Sequence, residues 1–168
     1  MRRRQLLVGA LGVAGLFVVG GPAGLAGLRG CAPRVLGLRC LTSNEHRTIE
    51  SLATAMFPAG GAFALGAGGL ELARMFDGFL ADEPVDRQSD LKTALLVFEY
   101  GPVLFDRRLV TFSNLLEDER LAHYEAWQTS DDPVRRQVAV GLRKFLATVF
   151  YDRPEAWPGI GYALPEGV

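Results

Sequence analysis

A charge-free stretch of 23 residues, residues 6–28, follows the basic start of this chain and constrains how the rest can fold. A positively charged start followed by an apolar stretch is typical of a targeting segment, not of a folded domain. The chain is therefore predicted to divide into three parts: a signal or anchor segment over residues 1–30, a linker over residues 31–41 and a folded domain over residues 42–168.

The start of this segment fits a twin-arginine export signal, in which two arginines, one further residue and two apolar residues follow one another. Arg3, Arg4, Leu6 and Leu7 occupy these positions. Glycines dilute the apolar core, as is usual in such signals, which carry folded proteins across the membrane. An ordinary secretory signal and an uncleaved membrane anchor stay open, because 23 helical residues reach about 34 Å, enough to span a bilayer.

The end of the segment allows two processing routes. Residues 28–31 resemble a lipobox, which predicts lipidation at Cys31, although Arg29 stands where a small uncharged residue is usual. Cleavage after Ala26 is the alternative, and Cys31 and Cys40 could then form a disulfide in an oxidising compartment. All these routes predict export across the bacterial cytoplasmic membrane to the periplasm or cell envelope, with or without a membrane anchor.

Charge and composition exclude several classes of protein. The whole chain has 18 basic and 19 acidic residues, and loss of residues 1–30 would change the net charge from −1 to −5. Such a domain is not suited to nucleic acid. Two cysteines are too few for a disulfide scaffold, and an apolar fraction of 49% supports a folded core.

The folded part is predicted to be an all-α bundle of about five helices with an extended aromatic C-terminal tail. Helical periodicity and capping signals recur, and period-two alternation is missing over any useful length. The predicted helices begin at the Thr42–Glu45 capping box and then cover residues 70–80, 85–100, 114–129 and 133–151. The fourth is predicted to bury Leu116, Tyr124 and Trp127; the fifth carries a stripe of Val134, Val138, Leu142, Phe145 and Val149.

The sequence predicts no catalytic, cofactor-binding or metal-binding residue. His46 and His123 are interpreted as surface or capping histidines, and Ser113 lacks the G-x-S-x-G context of a hydrolase nucleophile. The acidic residues at 117–119 and 131–132 lie at predicted helix starts, where negative charge is favourable.

The C-terminal tail is the most informative stretch. It concentrates aromatic rings, prolines and glycines, and Trp and Tyr are frequent anchors of protein interfaces. The tail could fold back over its own bundle or contact another subunit. The candidate docking residues are Tyr151, Pro154, Trp157, Ile160, Gly161 and Tyr162.

The tail resembles the end of the gluconate 2-dehydrogenase subunit 3 family. The matching features are the pair Phe150-Tyr151, then Pro154 and Trp157, then the Ile-Gly-Tyr of residues 160–162, and the first helix adds the Met-Phe-Pro of residues 56–58. The likeness extends over residues 42–165, with a shorter spacer before the Gly-Tyr than many members have.

The resemblance implies a small non-catalytic subunit that assists export, maturation or membrane docking of a large flavoprotein dehydrogenase of the glucose–methanol–choline type. FAD is expected in that partner and no cofactor in this chain, and a cytochrome subunit can complete such complexes. The alternative is a free-standing envelope lipoprotein, or a membrane-anchored binding protein, without a redox role.

Overall fold

Helices and their connections build the part of this chain that the computed structural model describes, residues 27–60 and 63–163. The export-signal residues Arg3, Arg4, Leu6 and Leu7 lie outside it. The described residues contain no strand, and the predicted all-α fold is confirmed. The α-helices are α1 (Ser43–Met56), α2 (Leu72–Ala81), α3 (Val85–Glu99), α4 (Gly101–Leu104), α5 (Glu117–Gln128) and α6 (Pro133–Tyr151), with 3-10 helices over Phe112–Asn114 and Pro154–Ile160.

Two helix starts follow directly from their capping residues. Thr42 Oγ1 accepts from the Glu45 backbone N–H at 3.2 Å, and the Glu45 carboxylate accepts from the Thr42 N–H at 2.7 Å, so the predicted capping box of α1 is confirmed. At α6, Asp132 Oδ1 accepts from the Val134 N–H at 2.8 Å. Pro133 occupies the first turn, where its missing N–H is not needed.

The core lies between α1, α6 and the three helices that both of them contact, α2, α3 and α5. Helix α1 contacts α2, α3 and α5, and α6 contacts the same three helices. The buried apolar residues form one cluster. Its largest fully buried side chains are Phe76, Phe98, Phe112, Trp127 and Phe150.

The fourth predicted helix is wrong at its start. A 3-10 helix ends at Asn114, residues 115–116 are extended, and α5 begins only at Glu117. Leu116, predicted to be buried, is 69% exposed, whereas Leu115 is buried. The extended backbone at Leu116 turns its side chain outward, and its N–H donates to the Glu119 carboxylate at 3.1 Å. Burial of Tyr124 and Trp127 is confirmed.

The buried face of α6 differs from the predicted stripe. Leu142 and Val149 are buried as predicted, but Val134 at the helix start is exposed. Three further buried residues lie beside the stripe: Ala139, Leu146 and Phe150. A helix that contacts three neighbours needs a wider apolar face than one row of side chains provides.

The C-terminal tail is not extended as predicted, because Pro154–Ile160 forms a 3-10 helix. Gly161 ends it with a φ of 70°, a left-handed conformation that favours glycine. The N–H groups of Gly161 and Tyr162 donate to the carbonyls of Pro158 and Trp157, at 3.2 and 3.0 Å. Locally satisfied backbone groups make this compact ending possible.

Residues 28–41, which we call the N-terminal strap, lie against the bundle and form hydrogen bonds with it. The N–H of Ala32 donates to Asn44 Oδ1 and that of Val35 to Ser43 Oγ, both at 3.0 Å. The predicted linker is therefore attached to the start of α1 and not free of it. Within residues 27–60 and 63–163, no helix combines the length and the hydrophobicity that crossing a bilayer requires.

Candidate docking surface

An aromatic cluster joins the two motifs on which the family resemblance depends, the Met-Phe-Pro of residues 56–58 and the Phe-Tyr of residues 150–151. The ring of Phe57, just after α1, stacks on that of Phe150 with centroids 4.2 Å apart and an interplanar angle of 9°. Phe63 meets Phe150 edge-on at 4.8 Å, and Tyr151 lies 6.2 Å from Phe57. The Met-Phe-Pro motif and the Phe-Tyr motif, 93 residues apart from Phe57 to Phe150, therefore form one packing unit.

Trp157 organises the segment that follows. Its indole Nε1–H donates to the Tyr151 carbonyl at 3.0 Å, which ties the 3-10 helix to the end of α6. Its ring meets Tyr162 edge-on at 5.3 Å. The neighbouring Ala156 is buried, so one side of the 3-10 helix faces the bundle. Trp157 thus contacts both Tyr151 and Tyr162 and brings these two predicted docking residues close to each other.

Large apolar surfaces of this segment face solvent. Tyr151 is 39% exposed, Ile160 52% and Tyr162 51%. Pro154 is also exposed, and Trp157 is half-buried. We call the six residues Tyr151, Pro154, Trp157, Ile160, Gly161 and Tyr162 the tail surface. Fixed rings with one free face suit a protein interface, because little side-chain freedom is lost on binding.

Asp77 is a buried carboxylate that the sequence analysis missed. It is on α2, and it accepts three backbone hydrogen bonds from the strap, from the N–H groups of Arg39, Cys40 and Leu41 at 2.6, 2.9 and 2.6 Å. Burial by itself would raise its pKa, but the three N–H donors outweigh burial and the pKa is lowered below its usual value. In the sequence, the sign of a buried aspartate was its position directly after Phe76 in an otherwise apolar stretch.

Glu99, at the end of α3, is the second buried carboxylate that the sequence analysis missed. The Ser113 hydroxyl donates to Oε1 at 2.6 Å and the Ser113 N–H to Oε2 at 3.2 Å. Thr48 of α1 donates to Oε2 at 3.0 Å, and Arg29 Nε lies 3.6 Å from Oε1. Ser113 therefore serves as a structural donor.

His123 is buried, so its interpretation as a surface or capping residue is wrong. It lies among the rings of Phe98, Phe112 and Trp127, and its Nδ1 is 3.2 Å from the carboxylate of Asp106. Burial lowers the pKa of His123 to about 4, although Asp106 acts in the opposite direction. The imidazole is therefore neutral at pH 7 and packs as an aromatic ring.

Metal-ligating side chains do not cluster in residues 27–60 and 63–163, where no group of three or more could hold an ion. A groove between the strap, α1 and α2 is lined by His46 and Glu50, one helical turn apart, and by Glu71. Both cysteines are free, with Cys31 exposed and the thiol of Cys40 3.2 Å from Gln88 Oε1, so a Cys31–Cys40 disulfide is not formed.

No protein-family model, curated protein or solved structure matches this chain. The resemblance to the gluconate 2-dehydrogenase subunit 3 family therefore stays a prediction that depends on the motifs at residues 56–58 and 150–162.

Proposed function

We propose that this chain is a non-catalytic accessory subunit that binds a large flavin-dependent dehydrogenase of the glucose–methanol–choline type and assists its export, maturation or membrane docking. The observation that carries the proposal is the tail surface, where Tyr151, Ile160 and Tyr162 expose apolar area around a fixed Trp157. Aromatic residues held in this way are frequent energetic centres of interfaces.

The proposal assigns the chemistry to the partner. FAD and the oxidation of the substrate belong to the flavoprotein, and a cytochrome subunit would pass the electrons on to the membrane. This chain contributes a docking surface and the predicted export signal with Arg3 and Arg4. A flavoprotein folds around its cofactor before it crosses the membrane, so a partner without its own signal would cross with this chain.

Capture of the partner from the native cell tests the proposal. Tagged full-length chain is purified in mild detergent, and the eluate is examined for a second protein of several hundred residues with flavin absorbance in the visible blue. A solitary, colourless chain would contradict the subunit role and favour the free-standing envelope protein.

A matched pair of variants tests whether the tail surface is the contact. Ile160→Asp places a charge within the surface, and Val85→Asp places the same charge on an exposed aliphatic position of α3. We expect Ile160→Asp to reduce flavoprotein recovery at least tenfold, because an unpaired charge buried in an interface is costly. Val85→Asp should recover as much as the wild type; equal recovery with both variants would exclude the tail surface.

A further inference from the structure

Two processing routes of the leader differ in the residues that they leave on the folded domain. Cleavage after Ala26 would keep Arg29 in the mature chain. Lipidation at Cys31 would make Cys31 the first residue and would remove Arg29. The position of Arg29 in the fold therefore bears directly on the choice between them.

The side chain of Arg29 is built into the bundle. It is 11% exposed, its Nε lies 3.6 Å from Glu99 Oε1, and its Nη2 donates to Thr48 Oγ1 at 3.0 Å. Glu99 itself is completely buried. Its other partners, Ser113 and Thr48, are neutral donors. Among the residues that the structure describes, Arg29 is the cation found in an ion pair with this carboxylate.

The backbone beside Arg29 is held as well. Arg47 of α1 donates a hydrogen bond to the carbonyl of Arg29. Asn114 Nδ2 lies within hydrogen-bond distance of the carbonyls of Leu28 and Arg29, at 3.1 and 3.3 Å. Contacts from two separate parts of the chain therefore hold this point of the strap, in addition to the ion pair at the end of α3.

A buried carboxylate that loses its countercharge destabilises a fold strongly, because neutral donors replace only part of its hydration. We propose that Arg29 is a permanent part of the folded domain, as the countercharge of Glu99, and that any N-terminal processing occurs upstream of Arg29. Cys31 is then an internal, unlipidated residue. The N–H of the neighbouring Ala32 donates to Asn44 Oδ1, so the strap is attached to the bundle after Cys31 as well as before it.

The N-terminus of the wild-type chain tests the proposal directly. The protein is purified in mild detergent from its native cell, and its intact mass and N-terminal peptide are determined by mass spectrometry. We expect a chain that includes Arg29 and carries an unmodified Cys31. A chain that begins at a lipid-modified Cys31 would overturn the proposal.

Thermal unfolding of the full-length chain tests the countercharge role. Arg29→Met keeps an apolar stem and removes the charge, and Arg34→Met is the matched control on an exposed arginine of the same strap. We expect Arg29→Met to lower the Tm by about 10 °C and Arg34→Met to leave it unchanged. Equal Tm values for the two variants would contradict the role.

Neutralising Glu99 as well separates the ion pair from a general loss of packing. The double variant Arg29→Met with Glu99→Gln no longer buries an uncompensated charge, so we expect it to recover most of the lost Tm. This variant also decides the case in which Arg29→Met alone does not accumulate: recovery of folded protein supports the ion pair, and continued absence contradicts it.

Discussion

The two ends of the described chain attach to the same bundle by different chemistry. The strap is held mainly by polar contacts, with Asp77 accepting three backbone N–H groups and Glu99 pairing with Arg29. At the other end, aromatic side chains and one indole hydrogen bond make the attachment: Phe150 in the last turn of α6 stacks on Phe57, and Trp157 after α6 donates to the Tyr151 carbonyl and meets Tyr162 edge-on.

This difference has a consequence for function. The buried carboxylates of the bundle find their hydrogen-bond and ion-pair partners in the strap, and the strap N–H groups find their acceptors in the bundle. This attachment therefore needs no partner from outside the chain. Rings attach by one face or edge and leave the other exposed, as Tyr151 and Tyr162 show. We therefore expect changes at the strap to act on stability and changes at the tail surface to act on partner binding.

The largest expected effect is at the strap. Asp77→Ala would leave three strap N–H groups without their acceptor, and we expect it to lower the free energy of unfolding by about 3–5 kcal/mol. Chemical denaturation measures the loss. The control is Asp82→Ala, whose exposed pair with Arg39 should contribute little. Equal losses in both variants would mean that Asp77 does not hold the strap.

His123 and the strap should lose their contributions to stability in different pH ranges. The pKa of His123 is about 4 in the folded chain and near 6.5 in the unfolded chain, so the unfolded state takes up a proton first as the pH falls. Stability should therefore decrease by about 3 kcal/mol at most between pH 6.5 and 4, and this contribution should level off below pH 4.

The strap should respond at lower pH. Because the pKa of Asp77 is lowered in the fold, its contribution to stability is lost only as the pH falls below its unfolded value of 3.8.

Denaturation curves of His123→Leu, with His46→Gln as control, test whether His123 causes the loss of stability between pH 6.5 and 4. We expect only His123→Leu to flatten the slope between pH 6.5 and 4, and an unchanged slope would contradict it.

A smaller effect on stability is expected at Trp157. Because the indole is half-buried, Trp157→Ala should cost about 2 kcal/mol and should also abolish partner capture. Trp157→Phe keeps a ring beside Tyr162 but loses the hydrogen bond to Tyr151, so intermediate values are expected in both measurements. Wild-type stability and capture in Trp157→Ala would remove Trp157 from the tail surface.

The smallest effect is expected at Gly161. With a φ of 70°, Gly161→Ala should destabilise by about 1 kcal/mol through backbone strain alone, since a Cβ there meets no neighbour. Gly141→Ala, in the interior of α6 and also without a close neighbour, is the control of opposite sign. There alanine should stabilise, because it favours the helix. Thermal unfolding of both variants measures the difference.

The sequence by itself determined the elements whose causes are local. The capping box at Thr42, the cap at Asp132 with Pro133, and the apolar spacing between them fixed the fold class and most helix bounds. Local rules also placed the aromatic, proline-rich segment outside the last α-helix, and the candidate docking residues were found from it. These signals depend on neighbours within about four positions, which a sequence shows directly.

Only the tertiary structure decided the features that depend on distant partners. Asp77 and Glu99 are single acidic residues in the sequence, and their burial is possible because the strap brings Arg39, Cys40, Leu41 and Arg29 to them. The stacking of Phe57 on Phe150 likewise needs the fold to bring the end of α1 beside the end of α6. A buried charge is stable only with its partners in place, and those partners are chosen by packing across the chain, not by spacing along it.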